Sequence, residues 1–172
     1  RREKATSNIC TAQGLLAIIS SMYAIYHGPK NIILIATKIH KLCSELASIM
    51  SKEGLKVFHN QFFDTIRIHP NNEWELNAIN NKMNFRRFDD GSIGISLDET
   101  TTQSDIKKIC DIFCVKYQDT DNLFKIPDKL KRTVPFLDYD IFNKYHSETE
   151  MLRYIHKLET KDLSLNHSMI PL

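Results

Sequence analysis

Reactive side chains placed together at telling distances are few in this chain of 172 residues. Gly91 and Gly94 are the only close pair among 5 glycines. They follow Asp89-Asp90 in a turn-like setting, not the strand-to-helix corner whose backbone N–H groups cradle phosphate. The 7 histidines (His27, His40, His59, His69, His146, His156, His167) include no H-E-x-x-H pair and no His/Cys set at zinc-ligand spacing. Each reads as a capping, surface or core histidine. Asp98-Glu99 could serve acid–base chemistry or hold a metal, yet followed by Thr100-Thr101-Thr102 they read more simply as a strand end and helix cap. The 4 cysteines, Cys10, Cys43, Cys110 and Cys114, form no C-x-x-C pair. Cys110 and Cys114 stand at i and i+4 on an expected helix, beside the apolar stripe of Ile106, Ile109 and Phe113, as small buried hydrophobes. Thiols used this way suit a reduced, intracellular protein. Ser/His/Asp and Cys/His sets are defined by geometry, so spacing alone selects none. No residue is therefore assigned a catalytic, cofactor-binding or metal-binding role.

Two polar stretches stand apart from this list. Arg1 to Thr11 (Arg-Arg-Glu-Lys-Ala-Thr-Ser-Asn-Ile-Cys-Thr) crowds charge and hydroxyls just ahead of an apolar helix. Residues so placed either satisfy a buried helix N-terminus or build an anion site there. The tail Asn166-His167-Ser168-Met169-Ile170-Pro171-Leu172 runs from polar to apolar. Lys129 to Arg132, between Pro127 and Pro135, reads as a solvated linker and not as a nucleic-acid patch, because no basic block reaches five or six residues.

The elements that must position these residues follow from periodicity. Between Asn8 and Tyr26 the apolar residues Ile9, Leu15, Leu16, Ile18, Ile19, Met22, Tyr23, Ile25 and Tyr26 are too many for one stripe, which predicts a helix buried on most sides. His27-Gly28 closes it and Pro29 opens a second helix, with Ile32, Ile35, Ile39, Leu42, Leu46, Ile49 and Met50 on its stripe. That helix ends at Glu53-Gly54. The period then changes to that of strands at Leu55 to Phe58 and Phe62 to Ile68, the latter with Asp64, Ile66 and Ile68 on one face and Phe63, Thr65 and Arg67 on the other. Asn72 caps a short helix from Trp74 to about Met83. Asn84 to Phe88 and Ser92 to Leu97 flank Asp89-Asp90-Gly91 as a hairpin. Thr102 and Asp105 have capping-box spacing before a helix to about Val115, and Ser147 and Glu150 repeat it before a helix carrying Met151, Tyr154, Ile155 and Leu158. The order predicts an α+β unit, an open and largely antiparallel sheet with packed helices. A Pro-marked linker and one helix without a sheet of its own follow it.

Composition agrees. Hydrophobic residues make up 42% and charged residues 26%, Gly and Pro number only 5 each, and 23 Lys+Arg against 21 Asp+Glu leave a net charge of +2. This excludes collagen-like and wholly disordered chains and gives no sign of nucleic-acid binding. The longest apolar runs, Leu15 to Ile19 and Ile32 to Ala36, fall far short of the ~20 residues of a membrane span. The first residue is Arg1 and not methionine, with no signal-peptide pattern, as expected of a piece of a longer chain.

Five blocks give the chain a family resemblance. Arg1 with Glu3 to Gln13 (Glu-Lys-Ala-Thr-Ser-Asn-Ile-Cys-Thr-Ala-Gln), Met22 to Pro29 (Met-Tyr-Ala-Ile-Tyr-His-Gly-Pro), Ile95 to Thr102 (Ile-Ser-Leu-Asp-Glu-Thr-Thr-Thr), Tyr145 to Tyr154 (Tyr-His-Ser-Glu-Thr-Glu-Met-Leu-Arg-Tyr) and Ser168 to Leu172 (Ser-Met-Ile-Pro-Leu) occur in that order. Together they resemble the P-protein family of the glycine cleavage system, the pyridoxal-phosphate-dependent glycine dehydrogenases (decarboxylating, aminomethyl-transferring). The resemblance implies an internal segment joining two transferase-like halves of fold type I. Residues 1–115 would be the small α+β domain of the first half, 116–145 the linker, and 146–172 the first helix and lead-in of the second. It further implies decarboxylation of glycine on pyridoxal phosphate and passage of the aminomethyl group to the lipoyl arm of the H-protein. The cofactor lysine would lie in a His-Lys segment outside this chain, so no lysine here is its attachment site. The segment would have a scaffolding part, with Met169 to Leu172 at one edge of the pocket. The expected partners are the rest of the chain, glycine, the lipoylated H-protein and a second copy in a homodimer, with no nucleic acid and no membrane. The expected setting is the bacterial cytoplasm, or the mitochondrial matrix in a eukaryote. A reading of different class stays open: a truncated, non-catalytic remnant or interaction piece of that enzyme.

Overall fold

Alternation along two short segments builds the sheet. In the computed structural model, which describes residues 12–71, 73–118 and 124–169, strand β1 (Thr65–Ile68) turns Ile66 and Ile68 inward. Thr65 and Arg67 face the other way. Strand β3 (Ile93–Ser96) turns in Ile93 and Ile95, continued by Leu97. The two pair antiparallel, Thr65 opposite Ser96 and Ile68 opposite Ile93. The two-residue strand β2 (Arg86–Arg87) pairs antiparallel with the other side of β3, giving the order β1-β3-β2. The β2–β3 hairpin turns where expected, with Gly91 at φ 77°, a conformation that favours glycine. The first expected strand shrinks to a single bridge between Val57 and Ile68.

Helix α1 spans Ala12–Lys52 and contains a kink at Gly28 (φ 61°, ψ 176°), directly before Pro29. The break falls where it is expected, so the two expected helices meet at a left-handed glycine within this element. At the other end Gly54 sits at φ 86°, where the expected stop falls. Helix α2 (Trp74–Asn80) starts without a side-chain cap from Glu73; Asn72, the expected cap, lies outside the described residues. Helix α3 (Gln103–Ile112) carries the expected capping box, with Thr102 accepting from the Asp105 N–H and the Asp105 carboxylate accepting from the Thr102 N–H. Helix α4 (Glu148–Glu159) starts at Ser147, whose hydroxyl accepts from the Glu150 N–H.

The chain divides into two units, Leu34–Thr133 and Arg1–Ile33 with Val134–Leu172. In the first, the sheet face of Ile66, Ile68, Ile93 and Ile95 shares one core with Leu46, Ile49 and Met50 of α1, Ile106 and Ile109 of α3, Trp74 of α2, and Phe113. Each such aliphatic side chain contributes roughly 1.5–3 kcal/mol by leaving water. From Leu42 to Met50 helix α1 is buried on nearly every side. On the opposite sheet face the Arg67 guanidinium lies 4.9 Å from the Phe58 ring centre and 4.2 Å from that of Phe88. Gly94 leaves room for Phe88, since a Cβ there would stand 3.3 Å from its ring.

In the second unit the buried hydrophobic side chains among the described residues are Ile25 and Met151. The expectation of an early helix buried on most sides is corrected here: Leu15 is 61%, Leu16 61%, Ile18 58% and Ile19 54% exposed. Apolar density in the sequence shows that a surface is fit for burial, not that this chain supplies its cover. The kink is itself packed. The His146 ring donates through Nδ1 to the Tyr26 carbonyl at 2.7 Å, and a Cβ on Gly28 would stand 2.5 Å from the Phe142 carbonyl oxygen and 2.8 Å from the His146 ring.

Candidate functional site

The carboxylate most suited to chemistry in the sequence is spent on the backbone and hydroxyls of the turn that follows it. Asp98 Oδ1 accepts from the Thr100 N–H (2.9 Å) and hydroxyl (2.7 Å) and from the Thr101 N–H (3.1 Å) and hydroxyl (3.2 Å). Those bonds, the Thr100 hydroxyl first, hold its carboxyl below the usual range. Asp98 thus closes the turn between β3 and α3 as a fully ionised cap, a poor proton donor or acceptor near neutral pH. Glu99 is exposed, and its backbone carbonyl accepts from the Lys38 ammonium at 3.0 Å.

Histidines and thiols are likewise absorbed locally. His40 Nδ1 donates to the Phe63 carbonyl at 3.0 Å, and His156 lies 3.5 Å from Glu159 within α4. Burial pushes the thiols of Cys43 and Cys110 up to about 12, so neither offers a thiolate for attack or ligation. Cys114 departs from expectation: it is exposed and sits past the end of α3 at φ 54°, off the helical stripe. The helix stops at Ile112 because the chain turns back there, with the Val115 N–H donating to the Cys110 carbonyl at 3.0 Å. Cys10 lies outside the described residues. Among the described residues no group of three or more His, Cys, Asp and Glu side chains could hold a metal ion.

A cofactor bound as an imine needs a lysine in an enclosed pocket, and every described lysine is exposed. The described residues therefore do not fit the attachment site of pyridoxal phosphate. Arg1 to Thr11 and Ile170 to Leu172, the stretches read as an anion site or pocket edge, lie outside the described residues, and Met169 is fully exposed.

Sequence reasoning passed over one concavity. In the unit Leu34–Thr133 a groove of about 420 Å³ is lined by His40, Asn60, Phe62, Phe63, Phe124 and Pro127, among others. Its far wall belongs to the stretch read as linker, which is pinned where the Ser44 hydroxyl donates to the Phe124 carbonyl at 2.6 Å and the Phe62 and Phe124 rings meet at 5.1 Å. Two aromatics at 62 and 63 facing a third at 124 were the available signal. A second polar knot ties α1 to α3: Gln103 donates to Glu45 and, at 2.7 Å, to the Tyr117 hydroxyl, which donates to Glu45 at 2.9 Å.

Side chains arranged in this way define a small α+β packing domain whose polar groups serve caps, turns and helix ties. Comparison with known proteins makes the class particular. Residues 1–113 match the family model described as "Glycine cleavage system P-protein". The whole chain is 48% identical to glycine dehydrogenase (decarboxylating) of Thermosynechococcus vestitus, 46% to that of Flavobacterium johnsoniae and 44% to that of Aliivibrio salmonicida. It spans 18%, 19% and 19% of those relatives respectively. The chain belongs to the glycine cleavage system P-protein family.

Proposed function

We propose that this chain is the segment joining the two halves of a pyridoxal-phosphate enzyme that decarboxylates glycine and transfers the aminomethyl group to the lipoyl arm of the H-protein. One observation carries the reading: identity of 44% to 48% extends over the whole chain to proteins named for glycine decarboxylation. In this reading residues 1–115 form the small domain of a fold type I half, 116–145 the linker and 146–172 the entry to the second half. The α+β unit with its three-stranded antiparallel sheet supports the first of these assignments. The segment contributes packing, and no step of the reaction is assigned to its residues. Cofactor attachment and glycine binding fall to the remaining polypeptide, which acts as a homodimer with the H-protein in the bacterial cytoplasm.

The test joins mass to activity. In the source cells the polypeptide containing this sequence should be several times heavier than 20.0 kDa. Purified and supplied with pyridoxal phosphate and lipoylated H-protein, it should release labelled carbon dioxide from carboxyl-labelled glycine. A 20.0 kDa species alone, or a long polypeptide that leaves glycine intact, would refute the reading and leave the remnant in its place.

A further inference from the structure

The first half of α1 presents an aliphatic surface to solvent over little more than one turn: Leu15, Leu16, Ile18 and Ile19 are each more than half exposed. From Ala12 to Pro29 the sequence holds no Asp, Glu, Lys or Arg. Surfaces of soluble proteins seldom leave so much aliphatic area open, and depletion of charge marks the core of permanent interfaces, not the polar patches of transient ones. No helix among the described residues is long and apolar enough to cross a membrane. The described segments of the same unit do not supply a cover: Val134–Met169 meets α1 at the kink through His146 and Phe142, and α4 itself leaves Leu152 and Ile155 exposed. Relatives of which this chain spans 18% and 19% carry more than four fifths of their length outside it.

We infer that the Leu15–Ile19 face of α1 is a docking surface for the remainder of the same polypeptide, which buries it permanently. The inference rests on the reading of the chain as a segment of a longer enzyme. Tethering favours this occupant, because a surface covered by its own chain is met at an effective concentration no free partner matches. An uncharged face also offers nothing to steer or select a charged partner.

The full-length polypeptide tests it. Ile19→Cys is made there, and its alkylation by iodoacetamide is followed by peptide mass spectrometry, native and in urea, at concentrations above and below dimer dissociation. At both concentrations the native protein should react at least about a hundredfold more slowly than the unfolded one, as for a site reached only by substantial opening. Reaction at the unfolded rate overturns the inference. Protection that disappears on dilution to monomer also overturns it and makes a second copy the occupant. Should Ile19→Cys fail to fold, hydroxyl-radical oxidation of Leu15 to Ile19 in the unsubstituted polypeptide gives the same comparison. Glycine decarboxylation by the unsubstituted protein is assayed in parallel. Protection without activity sinks the functional reading alone, and activity without protection sinks the docking surface alone.

Discussion

The unit Leu34–Thr133 and the unit of Arg1–Ile33 with Val134–Leu172 draw on similar kinds of residue and use them in opposite ways. The first encloses Leu46, Ile49, Met50 and Phe113 completely, with helices packed against one face of a sheet. The second keeps Ile25 and Met151 from water and leaves Leu15, Leu16, Ile18, Leu152 and Ile155 open. A sheet face and several helices meeting at one place can bury each other within a hundred residues, whereas the start of α1 and the short α4 leave aliphatic side chains open. Autonomy of a stretch of sequence therefore depends on what its elements close against, more than on how apolar it is.

The sharpest test of the contrast pairs two leucines in this chain. Leu46→Ala should cost about 2–5 kcal/mol in urea unfolding, because it empties a packed core. Leu16→Ala should change stability by no more than about 0.5 kcal/mol, being a surface substitution here. Equal costs would erase the distinction between the units. Next in size is Gly28→Ala. The left-handed φ of 61° alone costs an alanine about 1–2 kcal/mol, and the new methyl would press on the Phe142 carbonyl. Hydrogen exchange should show protection lost from 139–146 while α3 keeps its own; unchanged exchange would mean that the kink is not packed as described.

The two helix caps refine the comparison further. Thr102→Ala should lower the unfolding free energy of the unit Leu34–Thr133 by about 1 kcal/mol, because α3 is fastened to its core. Ser147→Ala should fray the first turn of α4 in exchange measurements without moving that unfolding midpoint. A common shift of the midpoint would count against separate units. The smallest effect concerns acid. Asp90 is held down to about 2 from an ordinary 3.8, first by the Ser92 hydroxyl and N–H and then by Arg67. A carboxyl depressed in the folded state adds stability above its unfolded value and loses that contribution as pH falls through the folded one. Stability should therefore drop between about pH 4 and pH 2, and Asp90→Asn should flatten that slope slightly, the group being half exposed. An unaltered slope would show that the Ser92 and Arg67 contacts carry no linkage.

The sequence made local devices legible and their partners not. The Thr102–Asp105 box, the turn at Gly91 and the alternation of Ile66 and Ile68 are encoded within a few residues each, and all stand where their spacing puts them. Mutual cover of distant pieces has no such local signature. Burial was therefore expected at residues 8–26, whereas the helix enclosed nearly all round is 42–50. The same reason hid the groove, where Phe124 of an apparent linker meets Phe62 across sixty residues of chain. Cys114 left its stripe because the helix ended about three residues earlier than its periodicity suggested.

The ends of the small sheet carry a further consequence. An open strand edge invites another chain to add itself and so seeds aggregation. On one side the β1 edge is already occupied: Val57 bridges Ile68, with the Phe58 N–H donating to the Arg67 carbonyl at 2.9 Å and the His69 N–H to that of Lys56 at 3.1 Å. On the other, β2 is two residues long and both are arginine, too short and too charged to serve as a template. A polypeptide of this family cut down to these residues should associate through the greasy side of a helix, giving reversible, helix-rich clusters that mild detergent disperses, and not through strands growing into fibres.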